Sequence, residues 1–281
     1  PGSAAPPAPA GPARRVGVFI GISDFEDPAI RDLKVGEQDA LAMADAMKRL
    51  GRLDEAWTLT GSQATLANIE QAVRKRLPAA TRPGDVVVIY WSGHGARCAD
   101  VGGDERDGFD EYLVPYDGQF ADDATIRQTM LLDDTFGRWL QGLDGRKLLV
   151  ILDTCHSGGQ STLEKSLAKG LGNPQPAGGN VQFDFLDGEM ERAKDIGQTE
   201  TALLASSLAS QVSFERKEGD LSTMTYFLVQ EMSAAPGPLT LAAAYENLKR
   251  QVAAYVERNF VGTTQTPVLV DNLSPPFYLR P

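Results

Sequence analysis

Two segments hold residues able to do covalent chemistry. Trp91-Ser92-Gly93-His94-Gly95 carries one of two histidines in the chain, and Asp153-Thr154-Cys155-His156-Ser157-Gly158 carries the other together with one of two cysteines. A thiol titrates near ~8.5, so at neutral pH only a small fraction is thiolate unless a neighbouring imidazole takes its proton. The same imidazole can then protonate a leaving amine. Gly93, Gly95 and Gly158 let the backbone turn tightly, and the amides of Gly95 and Cys155 are candidate donors to an oxyanion. The chemistry this set suits is acyl transfer from a peptide bond to Cys155, with His94 as its base.

The elements that must position these groups lie directly before them. Val86-Val87-Val88-Ile89-Tyr90-Trp91 and Lys147-Leu148-Leu149-Val150-Ile151-Leu152 are of strand length, partly β-branched and without alternation, which is the pattern of buried parallel strands. Loops leaving the carboxyl ends of such strands build the active site of an open α/β sheet, and adjacent strands lie about 4.8 Å apart. Residues two apart on a strand share a face, so Ser92 accompanies His94 and Asp153 accompanies Cys155. A carboxylate beside the nucleophile suits a cationic substrate group.

Elsewhere the patterns predict a strand over 16–22, a helix over 36–50, a short strand over 55–59 and a helix over 65–77, closed by Pro78 and the Pro83-Gly84 turn. They continue with a helix over 133–143, a strand over 201–207, helices over 224–232 and 241–258, and a closing strand over 277–279. This alternation predicts an α/β fold, a mostly parallel central sheet with helices on both faces. Residues 1–14, rich in Pro and Ala, read as a flexible linker or a remnant of cloning ahead of a single domain over 15–281. A long mobile loop is expected around 159–198. No internal repeat stands out.

The paired motifs resemble those of the caspase-haemoglobinase class of cysteine peptidases, specifically metacaspases and their bacterial relatives, the orthocaspases. The resemblance spans 15–281 and is densest over 85–158. It implies a Cys-His dyad with His94 as general base and Cys155 as nucleophile, and an oxyanion held by the backbone at Gly95 and Cys155. Leu33-Lys34-Val35-Gly36-Glu37-Gln38-Asp39-Ala40 resembles a further segment of that family. Through it Asp39, with Asp153 and Ser92, is implied to line the pocket for the residue before the cut. Two carboxylates in one pocket favour guanidinium or ammonium and repel an acidic side chain. The implied cleavage is after Arg, or Lys, rather than after Asp.

The resemblance also implies calcium, with Asp110 and the pair Asp133-Asp134 at ligand positions. The family's further aspartate is replaced here by Thr162, a loss that Glu164, carbonyls or water would have to make good. No organic cofactor is implied, and the expected partners are peptides or proteins with basic residues. The family's habit of cutting its own loop makes Lys165, Lys169, Arg192 and Lys194 self-cleavage candidates, and a monomer is expected.

Plainer readings compete. His94 and Cys155 could be ordinary buried residues, His156 could support its loop, Cys98 could form a disulfide with Cys155, or these four could bind zinc. Asp39, Asp153 and Ser92 could be solvated or capping groups, and the acid-rich stretch 100–123 a solvated loop. An idle, caspase-like scaffold is the alternative function. The formal charge of −11 argues against nucleic acid or an anionic membrane as partner. Two cysteines without framework spacing suggest a reducing, cytoplasmic compartment. Neither a run approaching ~20 apolar residues nor a leader pattern is visible.

Overall fold

Continuous apolar runs become the interior strands of one sheet. The computed structural model describes residues 11–99, 109–154, 200–208 and 211–281. Within them the chain runs β1 (Arg15–Gly21), α1 (Gly36–Arg49), β2 (Glu55–Thr60), α2 (Leu66–Glu70), α3 (Leu77–Ala80), β3 (Val86–Ser92), β4 (Gly95–Ala99), β5 (Phe109–Leu113) and α4 (Asp123–Thr129). It continues through β6 (Leu131–Leu132), α5 (Asp133–Gln141), β7 (Lys147–Asp153), β8 (Thr201–Ala205), α6 (Thr223–Ala234), β9 (Leu239–Thr240), α7 (Leu241–Asn259), β10 (Val268–Asp271) and β11 (Tyr278–Arg280).

The central sheet has the order β10-β8-β7-β3-β1-β2. Its strands pair in parallel, except that the edge strand β10 runs antiparallel to β8. Both faces are covered, and side-chain parity divides the core accordingly. Val87, Ile89 and Trp91 of β3 pack with Leu148, Val150 and Leu152 of β7, Ile69, Val73, Leu77, Phe136 and Trp139 on one face. Val86, Val88 and Tyr90 pack with Leu149, Ile151, Met43 and Met47 of α1, Met224 and Leu228 of α6, and Leu248 of α7 on the other. The next residues of that second parity are Ser92 and Asp153, so both project toward the side that α1 and α6 cover.

Two expectations need correction. The helix expected to close at Pro78 continues to Ala80, passing through a π-helical stretch over Gln71–Arg76. Proline lacks an N–H and its ring crowds the carbonyl four residues back, and the wider winding just before it relieves that conflict. The acid-rich stretch is not simply a solvated loop from residue 109 onward, because β5 there forms a three-stranded antiparallel sheet with β4 and β6. The expected closing strand is present as β11, which pairs with β9 in a separate two-stranded ribbon. No helix among the described residues is long and apolar enough to cross a membrane.

Candidate active site

Register brings the two motif strands level at their carboxyl ends. Gly21, Ser92 and Asp153 lie side by side across β1, β3 and β7, and all the strands are parallel there. Beyond Ser92 the chain leaves the sheet at Gly93, places His94, and enters β4.

The loop from the end of β1 to α1 encloses His94. Its Nε2 lies 2.6 Å from the Arg31 carbonyl, the Phe25 ring stacks on it at 5.1 Å between centroids, and the side chain is fully buried. A carbonyl only accepts, so Nε2 carries the proton and the basic lone pair resides on Nδ1. A histidine held by a backbone carbonyl in one tautomer is suited to act as a base through its other nitrogen. Sequence reasoning missed both Phe25 and Arg31; a carbonyl contact has no side-chain signature to find.

Asp39 reaches the same place from the first turns of α1. Its Oδ2 accepts from Ser92 Oγ at 2.7 Å and from Ser222 Oγ, and its Oδ1 accepts from the Ser222 amide at 2.7 Å. Asp153 Oδ1 accepts from Ser213 Oγ at 2.9 Å, and Oδ2 accepts from the Thr225 hydroxyl at 2.7 Å and its amide at 3.2 Å. Asp39, Ser92 and Asp153 are each fully buried, which removes the solvated reading. The structure thus brings the three expected pocket residues together, and adds Ser213, Ser222 and Thr225, which no motif marked.

Tyr90 completes the cluster from below. Its hydroxyl lies 2.5 Å from Thr225 Oγ1. Since Thr225 gives its own proton to Asp153, Tyr90 donates. Burial first, then the nearby charges of Asp39 and Asp153, hold the Tyr90 phenol well above its ordinary range, so it remains a neutral donor.

Close packing sets the reach of Asp39. A Cβ on Gly21 would lie 2.3 Å from the Gly36 carbonyl oxygen, and one on Gly36 would lie 2.3 Å from that of Ile22. These glycines let the start of α1 press onto the end of β1.

The remaining expected residues divide. Cys155 and His156 lie outside the described residues, as do Thr162, Glu164, Lys165, Lys169, Arg192 and Lys194. Cys98 is a free, buried thiol in β4, opposite Asp110, which disposes of the disulfide alternative. Burial above all, with Arg127 opposing and Asp110 adding, pushes that thiol up to about 11.

At the positions considered for calcium, Asp110 Oδ2 pairs with Arg127 at 2.7 Å and Asp134 Oδ2 lies 3.6 Å from Arg138. Asp133 is buried at the start of α5. Among the described residues no three His, Cys, Asp or Glu side chains gather as a metal would need. The arginines supply positive charge where an ion would, so the described carboxylates do not by themselves fit calcium, and no catalytic step is routed through it.

The sheet order, the histidine beyond β3, and the buried aspartates of α1 and of the end of β7 beside Ser92 define a caspase-like α/β fold. The family model of the caspase domain matches residues 14–278, and the chain belongs to that family of cysteine peptidases. Metacaspase-1A of Neurospora crassa is 38% identical over 96 residues, 34% of this chain and 20% of the relative. Metacaspase-4 of Arabidopsis thaliana is 35% identical over 102 residues, 36% of this chain and 22% of the relative. The matched part thus spans about a fifth of these curated relatives. Among solved structures, a protein from Geobacter sulfurreducens superposes with a TM-score of 0.61 at 21% identity, covering 93% of this chain and 94% of its own. Caspase-1 from Spodoptera frugiperda superposes at 0.58 with 13% identity, covering 95% and 90%. At such identities the likeness is one of fold.

Proposed function

We propose that the chain is a cysteine endopeptidase that cuts after Arg, and less readily after Lys, through the Cys155-His94 dyad. The observation that carries this reading is the convergence of two buried carboxylates, Asp39 and Asp153, on the end of the strand that leads to His94. Buried charge is costly unless it is matched, and a guanidinium matches it with both charge and donors. An aspartate in the substrate would meet repulsion instead.

In the proposed reaction His94 Nδ1 takes the Cys155 proton and the thiolate attacks the scissile carbonyl carbon. The tetrahedral oxyanion is held by the amides of Gly95 and Cys155. On collapse the C–N bond breaks, and the imidazolium returns its proton to the departing amine. Water, deprotonated by the same imidazole, then hydrolyses the thioester and frees the acid. Processing of the chain's own segment at Lys165, Lys169, Arg192 or Lys194 follows from the same specificity, and stimulation by calcium belongs to the proposal as a condition to be varied.

Matched fluorogenic peptides ending in Arg, Lys or Asp, with calcium or chelator, test the reading. Turnover of the Arg and Lys peptides is expected, and is lost in Cys155→Ala. Asp153→Ala is expected to lower kcat/KM on the Arg peptide by about a hundredfold, the loss of a charge-assisted contact. Efficient cleavage after Asp, or no turnover in any arm, would refute it; the second result would favour a scaffold.

A further inference from the structure

We infer that Ser206 is a positioning residue for the reaction: through the Thr154 carbonyl it fixes the peptide unit whose N–H is the Cys155 amide, the proposed oxyanion donor. This rests on the cysteine-peptidase reading above.

The ladder between β7 and β8 is parallel, and alternate residues of β7 turn their backbone groups toward β8. The Leu148 amide donates to the Glu200 carbonyl at 2.8 Å, and the Leu152 carbonyl accepts from the Ser206 amide at 2.9 Å. Thr154 is the next residue of that set. β8 closes at Ala205 and Thr154 is buried, so a carbonyl there without a donor would be costly. The Ser206 hydroxyl donates to it at 2.6 Å, and Ser206 is itself fully buried. A side chain thus extends the ladder one rung past the end of β8, at the residue immediately before Cys155.

Gln265 holds the serine in turn. This glutamine, fully buried shortly before β10, donates through Nε2 to the Ser206 carbonyl at 3.0 Å and to Ser213 Oγ at 3.2 Å, while its Oε1 accepts from the Phe214 amide at 3.1 Å. Ser213 passes its own proton to Asp153 Oδ1 at 2.9 Å. One side-chain amide therefore ties the serine that holds the Thr154 carbonyl to the serine that holds Asp153. A buried polar network with its donors and acceptors engaged is rigid.

The consequence for chemistry follows from the peptide unit. It is planar and trans, so its N–H points away from its own carbonyl. β7 lies between β8 and β3. A Thr154 carbonyl turned toward β8 directs the N–H of the same unit to the side of β3, the strand that leads to His94. Without the hydroxyl the carbonyl is free to rotate and carries that N–H with it. The carbonyl oxygen of a bound substrate bears little charge for the amide to meet and the oxyanion bears a full one, so Ser206 acts on kcat rather than on KM.

Ser206→Ala tests this on the full chain. With the Arg peptide we expect kcat to fall about thirtyfold, less than the roughly hundred- to thousandfold that follows outright removal of an oxyanion donor, with KM and the Arg-to-Lys ratio near native. Alkylation of Cys155 by iodoacetamide, which displaces iodide at carbon and forms no oxyanion, should keep its native rate. Ser206→Thr, which restores a hydroxyl, should recover part of the lost kcat. Ser207→Ala, the same deletion at the neighbouring buried serine, whose hydroxyl lies 3.5 Å from the Gln211 carbonyl, should leave kcat near native. A native kcat in Ser206→Ala, beside an impaired Asp153→Ala, would overturn this inference and leave the peptidase reading standing. A parallel fall in Cys155 alkylation, or an equal loss in Ser207→Ala, would also overturn it, making the hydroxyl a support of the fold. A native chain that cuts after neither Arg nor Lys removes the reading on which the inference rests, and the inference with it.

Discussion

At the scale of single residues, environment separates groups of the same type. Asp39, Asp153 and Glu215 are all fully buried acids, yet the two aspartates accept hydroxyl and amide donors on both oxygens while Glu215 accepts two amides on Oε1 and none on Oε2. The cysteines should separate in the same way. Cys98 titrates at about 11 and is shielded in β4, so at pH 8 it is almost wholly a thiol. Treatment of the native chain with iodoacetamide at that pH, followed by peptide mapping, is expected to modify Cys155 and spare Cys98, and to modify neither in Cys155→Ala. Equal labelling of both would show that Cys98 is neither shielded nor raised. Motif reading singled out His94 and Cys155 by their rare types and Ser92 and Asp153 by their places at strand ends, and pointed to Asp39 only through the family resemblance. It could not find Ser213, Ser222 or Thr225, because serine and threonine are common and only their neighbours give them a role.

At the scale of elements, close approach does the positioning. Asp39 sits on a helix and Ser92 on a strand, and their hydrogen bond requires α1 to lie hard against β1. Gly36→Ala would drive a methyl to 2.3 Å from the Ile22 carbonyl oxygen, a backbone atom with little room to yield. We expect this variant to fold with about 2 kcal/mol less stability, in the range of core overpacking, and to lose more than about tenfold in kcat/KM for Arg peptides. Urea denaturation and steady-state kinetics together check it, and native values in both would mean that α1 shifts freely. The helix itself was legible from its apolar spacing; the contact of its glycine with β1 was not, since nothing in a local window reports what a residue will face.

At the scale of the whole molecule, a net charge of −11 is compatible with a stable fold only if its buried acids are matched. The small sheet beside the core shows how. Arg127 of α4 meets Asp110 of β5 at 2.7 Å, and Arg97 of β4 meets Glu111 of β5 at 2.8 Å, both acids being almost wholly enclosed. Arg127→Ala is expected to cost about 3 kcal/mol by stranding a buried carboxylate, and adding Asp110→Asn should restore part of that loss. Chemical denaturation of the two single variants and the double variant measures the coupling; strict additivity would mean that the pair does not interact. Titrating the same variants with calcium, followed calorimetrically, asks whether Arg127 holds the place of an ion, with tighter binding expected once it is removed.

By itself the sequence determined which segments are buried strands, that His94 and Cys155 follow two of them, and that Ser92 and Asp153 share their parity. Those are local properties, set by side-chain type and by the period of a strand. Tertiary structure alone decided that Ser92 and Asp153 lie level on adjacent strands, that the face they share is the one covered by α1 and α6, and that Ser213, Ser222 and Thr225 come from distant segments to fill their cluster with donors. Each of these joins residues far apart in the chain. Such contacts follow from the packing of whole elements, whose order and register no short stretch of sequence contains.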